Sequence, residues 1–565
     1  MNEKLQVIII GAGPVGLAFA AEMARYGISS RIVDKAQGPK EISKALILHV
    51  RTQEVLDAMG LTHEAQDASQ PMRRVEIIGY GKHLGHGEME GVDSPHSHPI
   101  ILGQNVTERI LQQHLASYGV SVEWQTEALD VAQDTEGASV TLRRVDGREE
   151  TVRSQYVLGA DGTHSIVRQK AGIQFQGNHY DGQAFIQSDS KIRWSLPRGV
   201  SYLWFTEKGY MMVIEMPNGI VRTFISVPDP GQDVKTTTLE EVNAALNRFG
   251  GVDAELYDPV WVALYRVNHR AAPVFRKDRI FIAGDAAHEH VPIGGQGMNT
   301  SIQDAFNLAW KLAYVIQGKA RADILNSYQA ERHPVAESLL NGTDQAYTTL
   351  LKAGDLGRTA MRLFGPYLLA SEAVRKKMRH TLEEIDINYR QGPITADHGG
   401  SSGPHAGDRL LDSTVVKMPE QESVQLREVL RGISWTLLLF SGPAANSAQA
   451  TELAEIARVA SARFPQAVRS YLVLGGFPVA SPRTQEVAVL LDAMNHAHDH
   501  YGATSPCLYL VRPDLYIGFR GSLADSPQLL EYLDRVLVPA GGAARSLQSI
   551  ARSAAQRYFH ARETP

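Results

Sequence analysis

Two stretches of this chain combine residue types and spacings that can do chemistry. The later one runs Gly284-Asp285-Ala286-Ala287-His288 and continues, past Pro292, into Gly294-Gly295-Gln296-Gly297-Met298-Asn299. A carboxylate on a tight turn can take the hydroxyls of a sugar-alcohol chain. A glycine-rich loop opening a helix presents backbone amides to an anionic ring. The earlier stretch is Gly11-Ala12-Gly13-Pro14-Val15-Gly16, with Asp34 placed 23 positions after Gly11. Its glycines permit a tight turn, close approach of backbone to phosphate, and close helix–strand packing, while an acidic residue at that distance reaches an adenosine ribose. The helix N-terminus adds roughly 0.3–1 kcal/mol toward an anion. Either element alone is also compatible with a plain turn into a helix. Together, in this order, they predict two ends of one long dinucleotide: pyrophosphate at the first, ribityl chain and isoalloxazine at the second. FAD is the expected cofactor.

The elements that must position these residues are readable in outline. Leu5–Ile10 is a short apolar run, as in a buried parallel strand. Pro14–Tyr26 carries a helical pattern ended by Gly27, and Ser30–Val33 is the next strand, which makes a βαβ unit. Gln155–Ala160, ending in Asp161-Gly162, and Arg279–Ala283 are expected to join the same sheet. Between them, Pro71–His98 and Gln183–Leu264 alternate in polarity and are rich in aromatics, which predicts an inserted, mostly antiparallel sheet. Tyr202, Trp204, Tyr210, Met212 and Ile214 fall at even positions within it. From Thr300 to Tyr389 the pattern is mainly helical. Asp397–Gly407 has linker composition, and beyond it Trp435–Phe440, Leu508–Val511 and Tyr516–Arg520 are expected strands, with helices over Pro527–Leu537 and around Leu547–Tyr558.

The bulk properties narrow the class. At 565 residues the chain is too long for one core, and its 43% hydrophobic and 21% charged residues are ordinary for a globular protein. The net charge of −6, with no basic run, gives no reason to expect nucleic acid or an anionic membrane surface. Val7–Ala21 is interrupted by Gly11, Gly13, Pro14 and Gly16, unlike a signal sequence, and no apolar run is long enough to span a bilayer. The single cysteine, Cys507, excludes an internal disulfide and a CxxC site, so a cytoplasmic location is expected. His96/His98, His288/His290 and His496/His498/His500 lack ligand spacing with a carboxylate, and no metal is expected. A homodimer is compatible with the sequence, which carries no signal fixing the oligomeric state.

These residues bear a family resemblance. The chain resembles the group A flavoprotein aromatic hydroxylases, the family of para-hydroxybenzoate hydroxylase and phenol hydroxylase. The likeness rests on Gly11–Gly16 with Asp34-Lys35, on Ser43-Lys44-Ala45 leading to Arg51-Thr52-Gln53-Glu54, and on Gly159-Ala160-Asp161-Gly162 with Ser165 and Arg168. It rests further on Gly284–His288 with Pro292 and Gly294–Asn299, followed by Tyr328, Glu331, Arg332 and Pro334. The segment after the linker is similar to the thioredoxin-like extension of the longer phenol hydroxylases. The resemblance implies an α/β architecture: a Rossmann-like FAD-binding domain with helical extension (1–70, 99–175 and 273–396), an inserted substrate-binding sheet (71–98 and 176–272), and a thioredoxin-like domain (408–565).

It also implies roles. The FAD-binding set becomes Gly11, Gly13, Pro14, Val15, Gly16, Asp34, Lys35, Lys44, Arg51, Gln104, Asp161, Gly162, Arg168, Gly284, Asp285, Gly295, Gly297, Met298 and Asn299. Asp285 and Gln104 are assigned to the ribityl region, and Lys44 stands where the family often has Arg beside the pyrophosphate. Lys keeps the charge without the bidentate fork. The expected reaction is hydroxylation of a phenolic or polycyclic aromatic substrate, with NADPH or NADH reducing FAD and O2 delivering oxygen through a flavin C4a-hydroperoxide. No second nucleotide fingerprint is needed, because the family binds nicotinamide without its own domain. Pro292 is expected on the floor of the reaction site, with His49, Tyr202 and Tyr210 as candidates for the base. A Baeyer–Villiger or epoxidising oxygenase, or a catalytically silent FAD-binding module, remains open on the same scaffold. The Gly-Asp element speaks against a plain NAD-dependent dehydrogenase, and the missing Trp-x-Trp-x-Ile-Pro element against a halogenase.

Overall fold

A computed structural model of the chain describes residues 5–179, 183–206, 209–231, 233–251, 253–266, 268–289, 293–351, 355–443, 446–476 and 487–540. The expected last helix around Leu547–Tyr558, together with His290 and Pro292, lies outside the described residues. The chain divides into two compact units, residues 1–307 with 332–386, and residues 308–331 with 387–565.

Val7–Ile10 consists of four aliphatic residues, all buried. It is covered on both faces and therefore shows no alternation. It pairs in parallel with Tyr156–Gly159 on one side and Ser30–Val33 on the other. Ile280–Ile282 extends the sheet in parallel beyond Tyr156–Gly159. Among the described residues the order is Arg276–Lys277, Ile280–Ile282, Tyr156–Gly159, Val7–Ile10, Ser30–Val33, Val122–Glu123. The helix Pro14–Arg25, with proline at its first turn, connects two of these strands as the βαβ pattern predicts. The topology has one consequence for function. Strands that run parallel end on one edge, so Gly11, Asp161 and Gly284-Asp285, each following a strand end, are brought together there.

The inserted sheet has the order Ala254–Tyr265, Gln183–Trp194, Ile220–Pro228, Gly209–Glu215, Ser201–Thr206, Arg74–Gly79, Lys82–Glu88. It is antiparallel except where Ser201–Thr206 meets Arg74–Gly79. One face is covered by the helix Leu239–Gly250, whose start is fixed by a reciprocal Thr238/Glu241 capping box. Val242, Leu246 and Phe249 of that helix form a core with Tyr202, Trp204, Met211 and Val213.

Here the even-position expectation needs correction. The hairpin register pairs Leu203 with Met212 and Phe205 with Tyr210. Directly opposed residues share a face, so odd positions of one strand align with even positions of the other. Tyr202 and Trp204 therefore face the helix, while Leu203, Phe205, Tyr210, Met212 and Ile214 face the other way.

The described residues of the first unit also form three small three-stranded sheets, and its last part is helical, with Asp355–Ala370 and Glu372–Leu382 following Asn326–Leu351. Gln296–Ile316 and Asn326–Leu351 each contribute residues to both units. In the second unit the sheet runs Ala396–Asp397, Ile517–Ser522, Cys507–Val511, Trp435–Phe440, Val468–Gly475, Ala488–Asp492, Thr414–Met418, Glu422–Gln425. The segment read as a linker is packed structure. Ala396–Asp397 pairs with Phe519-Arg520, and the Arg520 guanidinium donates to the carbonyls of Gly400 and Ser402. Glycine and serine here serve a tight, side-chain-bonded loop, a use that composition does not distinguish from a linker. No helix among the described residues is long and apolar enough to cross a membrane.

Candidate active site

The three strand ends border a cavity of about 1190 Å³ in the first unit. Its lining includes Gly11, Gly13, Pro14, Val15, Asp34, Lys35, Lys44, Gln104, Asp161, Gly162, Asp285, Gly295, Gly297 and Met298, fourteen of the residues singled out in the sequence. The glycines divide by what a side chain would meet. A Cβ on Gly11 would lie 2.3 Å from the Ala160 carbonyl oxygen, and one on Gly16 would lie 1.9 Å from that of Gly11. These two are required by packing. A Cβ on Gly13 would meet nothing within 4 Å. Gly13 has an ordinary φ of −75° and opens the helix Pro14–Arg25. Neither backbone conformation nor protein packing demands glycine there, which leaves a cradle the size of a ligand group at a helix N-terminus.

The carboxylates around the cavity are held in distinct ways. Asp34 accepts from the amides of Ala12 (2.7 Å) and Ala36 (2.8 Å), which fixes its side chain against the first glycine loop. Asp161 Oδ2 accepts from the amides of Ile166 (2.7 Å) and Val167 (3.3 Å), capping the helix Ile166–Lys170, while its Oδ1 is buried without a hydrogen-bond partner among the described residues. Burial pushes the Asp161 carboxyl above its usual range. Asp285 is accessible from the cavity yet surrounded by protein at its depth; desolvation raises its carboxyl too, opposed by His288 and Lys44. Both would be relieved by donors from a bound ligand.

Other expected contacts act behind the wall. Arg168 does not line the cavity: its guanidinium donates to the carbonyls of Ala286 (3.0 Å) and Thr163 (2.8 Å) and tethers the Asp161 turn to the Asp285 turn. Arg51 is buried and paired with Glu54 at 2.8 Å. Gly284, at φ +61°, packs against Val15 and Ser301. Asn299 reaches back to the carbonyls of Ile47 (2.8 Å) and Gly295 (2.9 Å). The turn is further braced by Asp304, which accepts from Gly284 N (3.1 Å), His288 Nε2 (2.7 Å) and Arg332 Nε (2.7 Å). Burial alone would raise the Asp304 carboxyl, but Arg332 and His288 outweigh it and hold it below its usual range.

A second cavity, of about 220 Å³ and almost wholly apolar, shares Ile47 and Met212 with the first. Its walls include Met72, Val75, Leu203, Phe205, Tyr210, Met378 and Leu382, with His49 and Gly294 on one side and Arg375 and Arg379 on another. Of the candidate bases, Tyr202 is excluded from it. Its hydroxyl donates to the Pro197 carbonyl at 2.9 Å on the helix-covered face. Tyr210 lines the cavity within a cluster of Phe185 and Phe224. His49 also lines it: Nε2 donates to the Gly294 carbonyl at 2.8 Å, while Nδ1 stands 3.5 Å from Glu383 without a hydrogen bond among the described residues. Among the described residues no group of three or more His, Cys, Asp or Glu side chains is arranged to hold a metal.

Sequence reasoning missed Arg222. It forms a bidentate pair with Asp189 (2.7 Å to each oxygen) and donates to the carbonyls of Ser43 (2.7 Å) and Lys44 (3.0 Å), so the loop carrying Lys44 is pinned to the inserted sheet. Trp261 Nε1 donates to the same Asp189 at 2.8 Å. Nothing in the spacing links a strand arginine to a loop almost 180 positions away.

Comparison with known proteins agrees with this geometry. Residues 4–343 match the family described as FAD binding domain. The chain is 31% identical over 560 residues to 6-methylpretetramide 4-monooxygenase of Streptomyces rimosus, covering 97% of each chain. It is 30% identical over 544 residues to pentachlorophenol 4-monooxygenase of Sphingobium chlorophenolicum, covering 94% of this chain and 96% of the other. Among solved structures, the anhydrotetracycline hydroxylase of Streptomyces rimosus matches with a TM-score of 0.73 at 27% identity, over 95% of this chain and 99% of that one.

Proposed function

The chain belongs to the FAD-binding-domain family of flavin-dependent aromatic monooxygenases, and from that premise we propose that it hydroxylates a phenolic or polycyclic aromatic substrate with O2, drawing electrons from NADPH or NADH. The observation that carries this reading is the junction of the two cavities. A large, glycine-lined cavity shares Ile47 and Met212 with a small apolar one. A dinucleotide in the first would lie beside a dry, ring-sized space in the second.

FAD, when bound, supplies the redox and oxygen chemistry; the protein holds it and prepares the substrate. In this reading Gly13 and the following helix take the pyrophosphate, Asp34 and Lys35 the adenosine end, Lys44, Gln104 and Asp285 the middle, and Gly295, Gly297 and Met298 the ring end. Met72, Leu203, Phe205 and Met212 exclude water and stack or wedge the aromatic substrate. His49 Nε2 is spent on the Gly294 carbonyl and Nδ1 faces the Glu383 carboxylate, so the phenolic proton is not assigned to it. Arg379, a buried cation lining the apolar cavity, would stabilise the ionised oxygen instead.

The rest of the reading follows the same premise. The FAD-binding domain comprises 1–70, 99–175 and 273–396, and the substrate-binding sheet 71–98 and 176–272. Residues 408–565 form a thioredoxin-like domain, supported by parallel Trp435–Phe440 and Val468–Gly475 flanked by the antiparallel pair Cys507–Val511 and Ile517–Ser522. The protein acts in the cytoplasm, without a membrane or nucleic-acid partner, and a homodimer is its proposed assembly. The test is to load the purified protein with FAD and screen phenols and polyketide-like aromatics for accelerated NAD(P)H oxidation, identifying products by mass after ¹⁸O2 labelling. A hydroxylated ring carrying one labelled oxygen is expected. An ester or epoxide product would redirect the assignment, and flavin binding without substrate-stimulated oxidation would leave a silent FAD module.

A further inference from the structure

The loop at the junction of the two cavities is held by a buried histidine. Gly294 and Gly295 both adopt left-handed φ values, +79° and +71°. Two side chains clamp them to the strand Ile47–Leu48. Asn299 donates to the carbonyls of Ile47 and Gly295 and accepts from the His49 amide at 2.9 Å. The His49 ring, 2% exposed, donates from Nε2 to the Gly294 carbonyl at 2.8 Å. A carbonyl can only accept, so Nε2 carries a proton. The other nitrogen, Nδ1, faces Glu383 Oε2 at 3.5 Å, and that oxygen also accepts from Val50 N at 2.9 Å. The carbonyl of Gly294 and the N–H of Gly295 belong to one peptide group, and Gly295 lines the larger cavity. A charge-assisted bond to the carbonyl side of a peptide polarises it and strengthens the donor on its nitrogen side.

We propose that His49 is a positioning residue which, as an imidazolium paired with Glu383, polarises the Gly294–Gly295 peptide and thereby favours the reduced, more negatively charged flavin over the oxidised one. This rests on FAD occupying the larger cavity. The surroundings of His49 support the charge. From the segment after the helix Glu372–Leu382 it faces Glu383 and Glu384; from the helix Gln296–Ile316 come Thr300 and Gln303, both bonded to Glu384, and Asp304, already paired with Arg332 and His288. Arg375 and Arg379 line the same small cavity, each paired with Glu372. Burial alone would lower the His49 pKa; Glu383 and Glu384 outweigh it and raise it above its ordinary value. Deprotonation with rising pH then removes the polarisation, so reduced flavin is favoured less.

The test uses FAD-loaded protein and the two-electron midpoint potential of the bound flavin, measured as a function of pH from the ordinary histidine range upward. His49→Gln keeps a neutral donor for the Gly294 carbonyl and removes the charge. At the low end of the range its reduced-to-oxidised affinity ratio is expected to fall about tenfold, a potential roughly 30 mV lower. The wild-type curve should bend downward as His49 loses its proton, and the variant curve should lack that bend. Glu383→Gln removes the carboxylate that favours the imidazolium, so the bend should move to lower pH. Superimposable potential–pH curves for wild type and His49→Gln would overturn the proposal, as would an unmoved bend in Glu383→Gln if the histidine variant fails to hold flavin. Failure of the wild type to take up FAD at all would instead refute the reading of the cavity.

Discussion

Asp161 and Asp285 follow neighbouring parallel strands and carry the same functional group, yet the structure uses them differently. Asp161 spends one oxygen on capping a helix, whereas Asp285 stands open to the cavity. Asp285→Ala should therefore weaken FAD retention with little effect on folding. Losing charged hydrogen bonds worth about 1.5–3 kcal/mol corresponds to roughly ten- to hundredfold weaker binding. Flavin fluorescence titration of the apoprotein measures it, and an unchanged affinity would remove Asp285 from the binding set. The two aspartates could be found in the sequence because each ends a short apolar strand with a glycine beside it. Their division of labour could not, because it depends on whether the next turn presents free amides. Arg222 was hidden for a related reason. Its partners Asp189, Ser43 and Lys44 are set by how the inserted sheet lies within its own unit, and local pattern carries no record of that.

At the level of elements, periodicity located strands well where both faces are buried and misassigned faces where a hairpin intervenes. Val7–Ile10 and Trp435–Phe440 were legible because nearly continuous apolar runs of that length have few alternatives. Tyr202 and Tyr210 were grouped together because both are even-numbered, whereas the turn between their strands reverses the parity. The glycine loop gives a sharper element-scale test. Gly16→Ala would drive a Cβ to within 1.9 Å of the Gly11 carbonyl and should destabilise the whole βαβ unit. Gly13→Ala meets no protein atom and sits at an ordinary φ, so the apoprotein should keep its stability or gain about 0.4–1 kcal/mol from reduced freedom of the unfolded chain. FAD affinity should nonetheless fall at least about tenfold, because the added methyl occupies the cradle opposite the helix amides. Thermal denaturation of the apoprotein and flavin titration separate the two effects. A Gly13→Ala protein that binds FAD normally would show that the pyrophosphate lies elsewhere.

Taken as a whole chain, the second unit is the part whose stabilisation the sequence concealed most. Its lone cysteine is half-buried, and burial pushes the thiol up to about 12, so thiolate chemistry at neutral pH is not available to it. What the unit does contain is a fully buried ionic cluster drawn from segments some 200 positions apart. Arg512 makes two bonds to Glu331, at 2.7 and 2.9 Å, and a further bond to Asp514 at 2.9 Å, while Lys311 Nζ donates to Glu331 at 2.7 Å. All four side chains are at most 1% exposed. Burial lowers the Lys311 ammonium to about 8, the mark of a charge kept only by its partners. The two cations and two carboxylates balance, so removing one leaves an uncompensated buried charge. Arg512→Leu should cost about 3–5 kcal/mol, read as a drop in the unfolding temperature in calorimetry near neutral pH. Lys311→Met should cost less, because Arg512 still satisfies both oxygens of Glu331. If the two variants unfolded together, and within about 1 kcal/mol of the wild type, the cluster would behave as a hydrated surface network and could not be what ties residues 308–331 to the C-terminal strands.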